Sequence, residues 1–351
     1  MVGAGSVESR VAALAAWWAA AEGVEDVELV AGGRPGNGAS NETVLFDARW
    51  RRAGRVEEES WVVRVAPATA SLFPGYDLER EYRVLAALQG ASVVVPRPRR
   101  YGADLAVFGR PFFIMSRLAG RAVQENPLYH LEGWLRDLPP ADCAAHWLSA
   151  IDAVAALGRV DWQERGLGFL DAPLGTTRVQ HQLEGFAKHL AWTESLARPY
   201  PELRAALAWL HAHAPELRLP GLCWGDAKIG NCLFAEGRLV AALDWEMPWI
   251  GDPVADLAWF LVLDRALSEG YGVPRLAALP DRAVTVARWE AAAGRKAEHL
   301  DYYERFAATR FAIIMARAGK LYMERGWLPA ESEADVRNGG MAVLQTLMAT
   351  N

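Results

Sequence analysis

Four polar residues stand out in the stretch CWGDAKIGNCLFAEGRLVAALDWE, residues 223–246: Asp226, Lys228, Asn231 and Asp244, set among apolar residues and glycines. Two apolar runs, Cys232 to Phe234 and Leu239 to Leu243, flank a Glu-Gly turn at 236 and 237, so the stretch reads as a hairpin. Such a hairpin brings Asn231 and Asp244 side by side at its open end. An acid, an asparagine five positions on and a second acid after the hairpin suit phosphoryl transfer from a magnesium-bound nucleotide. One carboxylate, Asp226, stands where it can take or orient the proton of an acceptor hydroxyl. An amide oxygen from Asn231 and the carboxylate of Asp244 supply hard ligands for Mg²⁺, and the missing His/Cys pair argues against zinc. Lys228 would point a cation at the transferred phosphate.

The elements that must position these residues fall into two groups. Up to about residue 118 the pattern is mostly β: DVELVAG, ETVLFDAR and SWVVRVAP read as strands, and two more are expected around DLAVFG and PFFIMSRL. One helix, YDLEREYRVLAALQG, interrupts them and stops at Gly90. From about Pro140 the pattern is helical, with amphipathic stretches over 141–157, 178–197, 201–214, 253–267, 280–293, 298–319 and 331–348. The hairpin is the only strand-like interruption expected there. The N-terminal VAALAAWWAAA reads as a helix capped by Ser6 rather than as a leader, because Glu8 and Arg10 precede it.

Composition narrows the function classes. The chain has 351 residues and a formal net charge of −6, with no basic block, which argues against a nucleic-acid partner. No apolar run reaches the ~18 residues of a membrane span. The three cysteines, Cys143, Cys223 and Cys232, form neither a disulfide framework nor a metal spacing, so a reducing, cytoplasmic setting is expected. His211 and His213, two apart on a predicted helix, face different ways and read as structural.

WGDAKIGN, LDWE and GDPVADLAWF together resemble the aminoglycoside phosphotransferase and choline kinase family, and within it the branch linked to acyl-CoA dehydrogenases. That family's loop reads His-Gly-Asp, four residues, Asn; here Trp224 stands where His is commoner. The resemblance implies an α+β, bilobal, protein-kinase-like fold. Residues 1–118 would form a small β-rich N-lobe, residues 119–351 a larger α-helical C-lobe, and Mg-ATP would lie between them. Carried over residue by residue, Asp226 looks like the catalytic base, Asn231 and Asp244 like the magnesium ligands, and Asp256 like a buried acid bracing the loop. The segment GNGASNETVLF, with Gly36, Gly38, Ser40 and Asn41, looks like the phosphate-covering loop. A strand rather than a helix follows it, which excludes a Rossmann fingerprint, and a P-loop would need Gly-Lys-Ser/Thr. Arg64 takes the place of the nucleotide-binding lysine of the third strand, with Glu81 as its helix partner. The adenine would meet backbone near Ser116 to Leu118.

The implied activity is ATP-dependent phosphorylation of a small-molecule hydroxyl. A hydroxyacyl-CoA or other apolar alcohol is the expected acceptor, because acids and bases alternate over 288–324 and aromatic residues (Trp289, Tyr302, Tyr303, Phe306, Phe311, Tyr322) accompany them. An aminoglycoside kinase and a non-catalytic nucleotide-binding module remain the alternatives.

Overall fold

The computed structural model describes residues 7–33, 42–67, 72–103 and 105–350. By its internal contacts the chain divides into two units. The first comprises residues 1–71, 75–89 and 95–119; the second comprises 72–74, 90–94 and 120–351.

The first unit opens with helix α1 (Val7–Glu22) and continues into strands β1 (Glu25–Gly33), β2 (Glu42–Arg52) and β3 (Arg55–Val65). Helix α2 (Leu78–Ala87), strand β4 (Pro98–Gly102), the single-turn helix α3 (Leu105–Phe108) and strand β5 (Phe112–Ser116) complete it. The five strands form one antiparallel sheet in the order β1-β2-β3-β5-β4. Alternation along β2 and β3 turns Phe46, Ala48, Trp50, Trp61, Val63 and Val65 to one face, where α1 covers them with Leu14 and Trp18. Trp18, Trp50 and Trp61 meet with ring centroids 4.5–5.8 Å apart, the large apolar area that anchors this core. Asp77 starts α2 by accepting the Arg80 N–H at 2.9 Å.

The strand expected around DLAVFG is instead helix α3, one turn closed by Gly109 in the left-handed region. The strand lies just before it, in PRRYG. Its arginines hide it from a hydrophobic pattern, yet they suit an edge strand, where charge discourages further pairing.

The second unit starts with β6 (Arg121–Ala122) and helices α4 (Pro140–Gly158), α5 (Arg178–Leu196) and α6 (Pro201–Ala212). Four short strands follow: β7 (Gly221–Cys223), β8 (Cys232–Ala235), β9 (Arg238–Ala242) and β10 (Trp249–Gly251). Helices α7 (Val254–Ala266), α8 (Arg282–Ala293), α9 (Leu300–Glu324) and α10 (Gly339–Ala349) complete it. α7 is buried along nearly its whole length and packs on α9, α10, α4 and α8, so it is the axis of this unit. α9 runs further than the sequence pattern indicates, and the expected helix over 331–348 begins only at Gly339. Asn338 caps it, accepting the Met341 N–H at 3.0 Å. Three further strands besides the hairpin were not anticipated; β6, β7 and β10 are two or three residues long and show no periodicity. Among the described residues no helix is long and apolar enough to cross a membrane.

β8 and β9 form the anticipated hairpin. Glu236 (φ 50°) and Gly237 (φ 77°) both adopt left-handed backbone, the geometry of a two-residue type I′ turn that matches strand twist. A Cβ added to Gly237 would touch nothing within 4 Å. Gly237→Ala therefore carries only a backbone penalty, a loss of roughly 1 kcal/mol in urea unfolding. Unchanged or raised stability would contradict the turn assignment.

Candidate active site

Strand β7 delivers the chain into the loop 224–231. A buried carboxylate fixes the loop's first peptides: Asp256, 2% exposed in the first turn of α7, accepts the Trp224 N–H at 2.6 Å and the Gly225 N–H at 2.9 Å. Gly225 has φ 86°, and a Cβ there would collide with the Met247 carbonyl, so only glycine fits. The turn presents Asp226, a residue 7% exposed.

Both oxygens of Asp226 are held. Oδ1 accepts the indole N–H of Trp259 at 2.8 Å, and Oδ2 accepts the Asn231 amide N–H at 2.7 Å. Asn231 also donates to the Asp226 carbonyl at 3.0 Å. A single 3₁₀ turn over Ile229–Asn231 brings Asn231 back toward Asp226 and leads into β8. The Lys228 ammonium lies 3.9 Å from Asp226 Oδ2 and donates to Glu125 Oε2 at 2.7 Å. Burial pushes the pKa of Asp226 up, and Lys228 only partly offsets it. Burial opposes the charge on Lys228, but Asp226 and Glu125 outweigh it and hold its pKa above the ordinary lysine value.

The hairpin register closes the arrangement. The Leu243 N–H donates to the Asn231 carbonyl at 2.9 Å, so Asp244 follows directly beside Asn231, and its charge is felt by both Asp226 and Lys228. Asp244 adopts φ 58°, a conformation that Asp tolerates better than most residues and that often marks functional positions. Trp224 is fully buried; its indole N–H donates to the carbonyls of Leu243 (3.0 Å) and Asp244 (3.2 Å), and its ring stacks on Trp245. Trp224 thus ties the loop to the strand end that carries Asp244.

The donor set fits a hard divalent cation. Both amide hydrogen bonds of Asn231 leave from Nδ2, so neither engages Oδ1, a neutral oxygen of the kind such a cation takes.

In the first unit, Arg64 of β3 lies 3.0 Å from Glu81 of α2, both buried. The Ser116 N–H donates to the Arg97 carbonyl and the Arg117 N–H to the Ser60 carbonyl, which leaves the Leu118 segment beyond the sheet's pairing. Gly36, Gly38, Ser40 and Asn41 lie outside the described residues.

Three residues of the site escaped the sequence reading in these roles. Glu125, far away in sequence, is the partner of Lys228. Arg310 of α9 donates to the Gly225 carbonyl at 3.1 Å, and its guanidinium lies 5.3 Å from the Trp259 ring centroid. Trp259 donates its indole N–H to Asp226. Its spacing of three from Asp256 puts both on one face of α7, and that was the available signal.

Burial raises the Asp256 pKa to about 6, against two backbone N–H donors that favour the charge. A carboxyl raised in the folded state contributes stability that is present below its unfolded pKa and lost as pH rises through the folded value. The stability advantage of the wild type over Asp256→Asn should therefore shrink by roughly 2–3 kcal/mol from pH 4 to pH 7. A gap that widens over this range would contradict the burial account.

Comparison with known proteins bears on this geometry. A model of the phosphotransferase enzyme family (APH) matches residues 33–309. Human acyl-CoA dehydrogenase family member 11 is 26% identical over 270 residues; the match covers 69% of this chain and 32% of that protein, so the chain corresponds to about a third of its curated relative. A solved structure from Ralstonia eutropha JMP134 is 24% identical, with a TM-score of 0.67 over 96% of this chain and 98% of that one. Aminoglycoside phosphotransferase APH(4)-Ia, in a ternary complex with AMP-PNP and hygromycin B, is 15% identical, with a TM-score of 0.58 over 97% of this chain and all of that one. At these identities the two structures speak for the fold, which is the protein-kinase-like one. With the family model matched across both units, the chain belongs to the phosphotransferase enzyme family.

Proposed function

We propose that this protein is an ATP-dependent small-molecule kinase that transfers the γ-phosphoryl group of magnesium-bound ATP to the hydroxyl of an apolar or anionic acceptor, with a hydroxylated acyl compound such as a hydroxyacyl-CoA as the favoured class. The observation that carries the reading is Asp226, a buried carboxylate held on both oxygens at the head of the loop, with Lys228 beside it. In the proposed reaction the acceptor oxygen attacks the γ-phosphorus, its proton passes to Asp226, the bond to the β,γ-bridging oxygen breaks, and ADP leaves. Lys228 neutralises charge on the transferred group while Glu125 steadies its ammonium. Asn231 and Asp244 would hold Mg²⁺, which supplies charge neutralisation on the phosphates. Arg64, oriented by Glu81, would grip the nucleotide phosphates bidentately. Leu118, rather than Ser116, is the better candidate to meet the adenine, since the Ser116 N–H is already engaged.

Local charge supports the choice of acceptor. A polycationic aminoglycoside needs several uncommitted carboxylates. The acids of α8 and α9 are tied to cations: Glu290 to Lys296, Asp301 and Glu304 to Arg282, Glu324 to Arg317. The group next to the Asp226 turn is a cation, Arg310. Trp289, Tyr302, Tyr303 and Phe306, expected as acceptor surface, are core residues. The acyl class rests instead on this charge balance and on the similarity to a protein named for acyl-CoA dehydrogenation.

The test is an acceptor panel of hydroxyacyl-CoAs, simple apolar alcohols and aminoglycosides, incubated with Mg-ATP and read by product mass. Phosphorylated acyl or alcohol products are expected, with no turnover of kanamycin-type compounds; efficient aminoglycoside phosphorylation would overturn the acceptor class. With the best acceptor, Asp226→Asn should lower kcat by about 10²–10⁴. Near wild-type turnover would remove Asp226 from the chemistry.

A further inference from the structure

Asp226 is held from two sides, and the two holds differ in kind. Asn231 belongs to the same loop. Trp259 belongs to α7, the buried axis of the second unit, and reaches Asp226 from across the fold. Resting on the reading of Asp226 as the proton acceptor, we propose that Trp259 is a positioning residue for the reaction: its indole N–H, clamped on Oδ1, fixes the plane of the carboxylate toward the acceptor hydroxyl.

Three features support a dedicated device. First, a carboxylate held at one oxygen can still swing about its Cβ–Cγ bond, whereas donors on both oxygens fix its plane. Second, the ring is itself immobilised. Trp259 is buried, Phe311 packs edge-on at 5.9 Å, and the Arg310 guanidinium sits over its face at 5.3 Å. The same Arg310 donates to the carbonyl of Gly225, the residue before Asp226. One arginine therefore registers the indole against the loop. Third, α7 contributes Asp256 three residues earlier, so a single helix face sets both the backbone of the loop and the side chain of its acid. The choice of side chain also suits the task. An indole N–H can donate but never accept, so it cannot compete with Asp226 for the acceptor's proton, as a serine or a neutral histidine would.

The bland alternative is that Asp226 merely satisfies a buried indole N–H. Three substitutions separate the readings. Benzothienylalanine installed at position 259 replaces the N–H by sulfur without changing the ring's shape, so it keeps the packing that Trp259→Phe partly loses. Trp259→His loses the benzo ring but places an Nε2–H where the indole N–H was. Positioning predicts that the sulfur isostere and Trp259→Phe lower kcat roughly 10–100-fold, with KM for ATP and acceptor within about threefold, because only the reacting geometry is disturbed. Trp259→His should recover part of that loss. A kcat within twofold of wild type for the sulfur isostere, or a larger loss in Trp259→His than in the isostere, would overturn the proposal. A second readout is independent of turnover. The indole ¹H–¹⁵N resonance of Trp259, assigned by its loss in the sulfur isostere, should move upfield in Asp226→Asn; an unmoved resonance would show that the contact is absent and overturn the proposal by itself. If the wild type phosphorylates nothing, the reading of Asp226 as base fails, while the resonance still reports the contact.

Discussion

A carboxylate almost wholly shielded from water is an awkward thing to bury, and Asp256 shows what makes it tolerable. It faces two backbone N–H groups, those of Trp224 and Gly225, which β7 has just delivered and which no strand partner satisfies. The donors need an acceptor and the acid needs donors, so each burial cost offsets the other. The consequence is geometric. With those two peptides pinned and Gly225 in its left-handed turn, the direction in which Asp226 leaves the loop is set by α7. Everything proposed for the site depends on that pin.

The remaining supports act on the same small region from other elements. Trp224 bonds the carbonyls of Leu243 and Asp244, so the loop and the far end of the hairpin cannot separate without breaking a buried indole contact. The I′ turn at Glu236 and Gly237, together with the register shift between Leu233 and Phe234, brings Leu243 opposite Asn231 and leaves Asp244 as the next residue. Glu125 steadies Lys228. A tryptophan in place of the family's commoner histidine therefore leaves the loop anchored. It supplies an N–H donor and a large buried ring, and it links two parts of the proposed chemistry rather than loosening one.

Features written in local sequence were legible before the structure. The helices showed in their periodicity, the hairpin in a glycine flanked by apolar runs, and the loop in an acid and an amide at fixed spacing. What escaped was of two kinds. Elements too short to carry a period were missed or misread: the three-residue strands β7 and β10, the arginine-bearing edge strand β4, and the single turn α3 that took its place in the reading. Contacts made across the fold were also invisible, since nothing in a sequence says that Glu125 meets Lys228 or that Arg310 lies over Trp259. The aromatic residues of α9 illustrate a third limit. Composition gave their chemistry correctly, but only packing reveals that Tyr302, Tyr303 and Phe306 face the core.

In the proposed mechanism labour is divided: Asp226 would handle the proton and leave nucleotide binding alone, while Asp244 would hold the metal through which the nucleotide is bound. Calorimetric titration of ATP, with and without Mg²⁺, into the wild type, Asp226→Asn and Asp244→Ala tests that division directly. The account predicts wild-type affinity for Mg-ATP in Asp226→Asn and loss of the magnesium-dependent affinity in Asp244→Ala. Unchanged Mg-ATP affinity in Asp244→Ala, or its loss in Asp226→Asn with the fold intact, would contradict it.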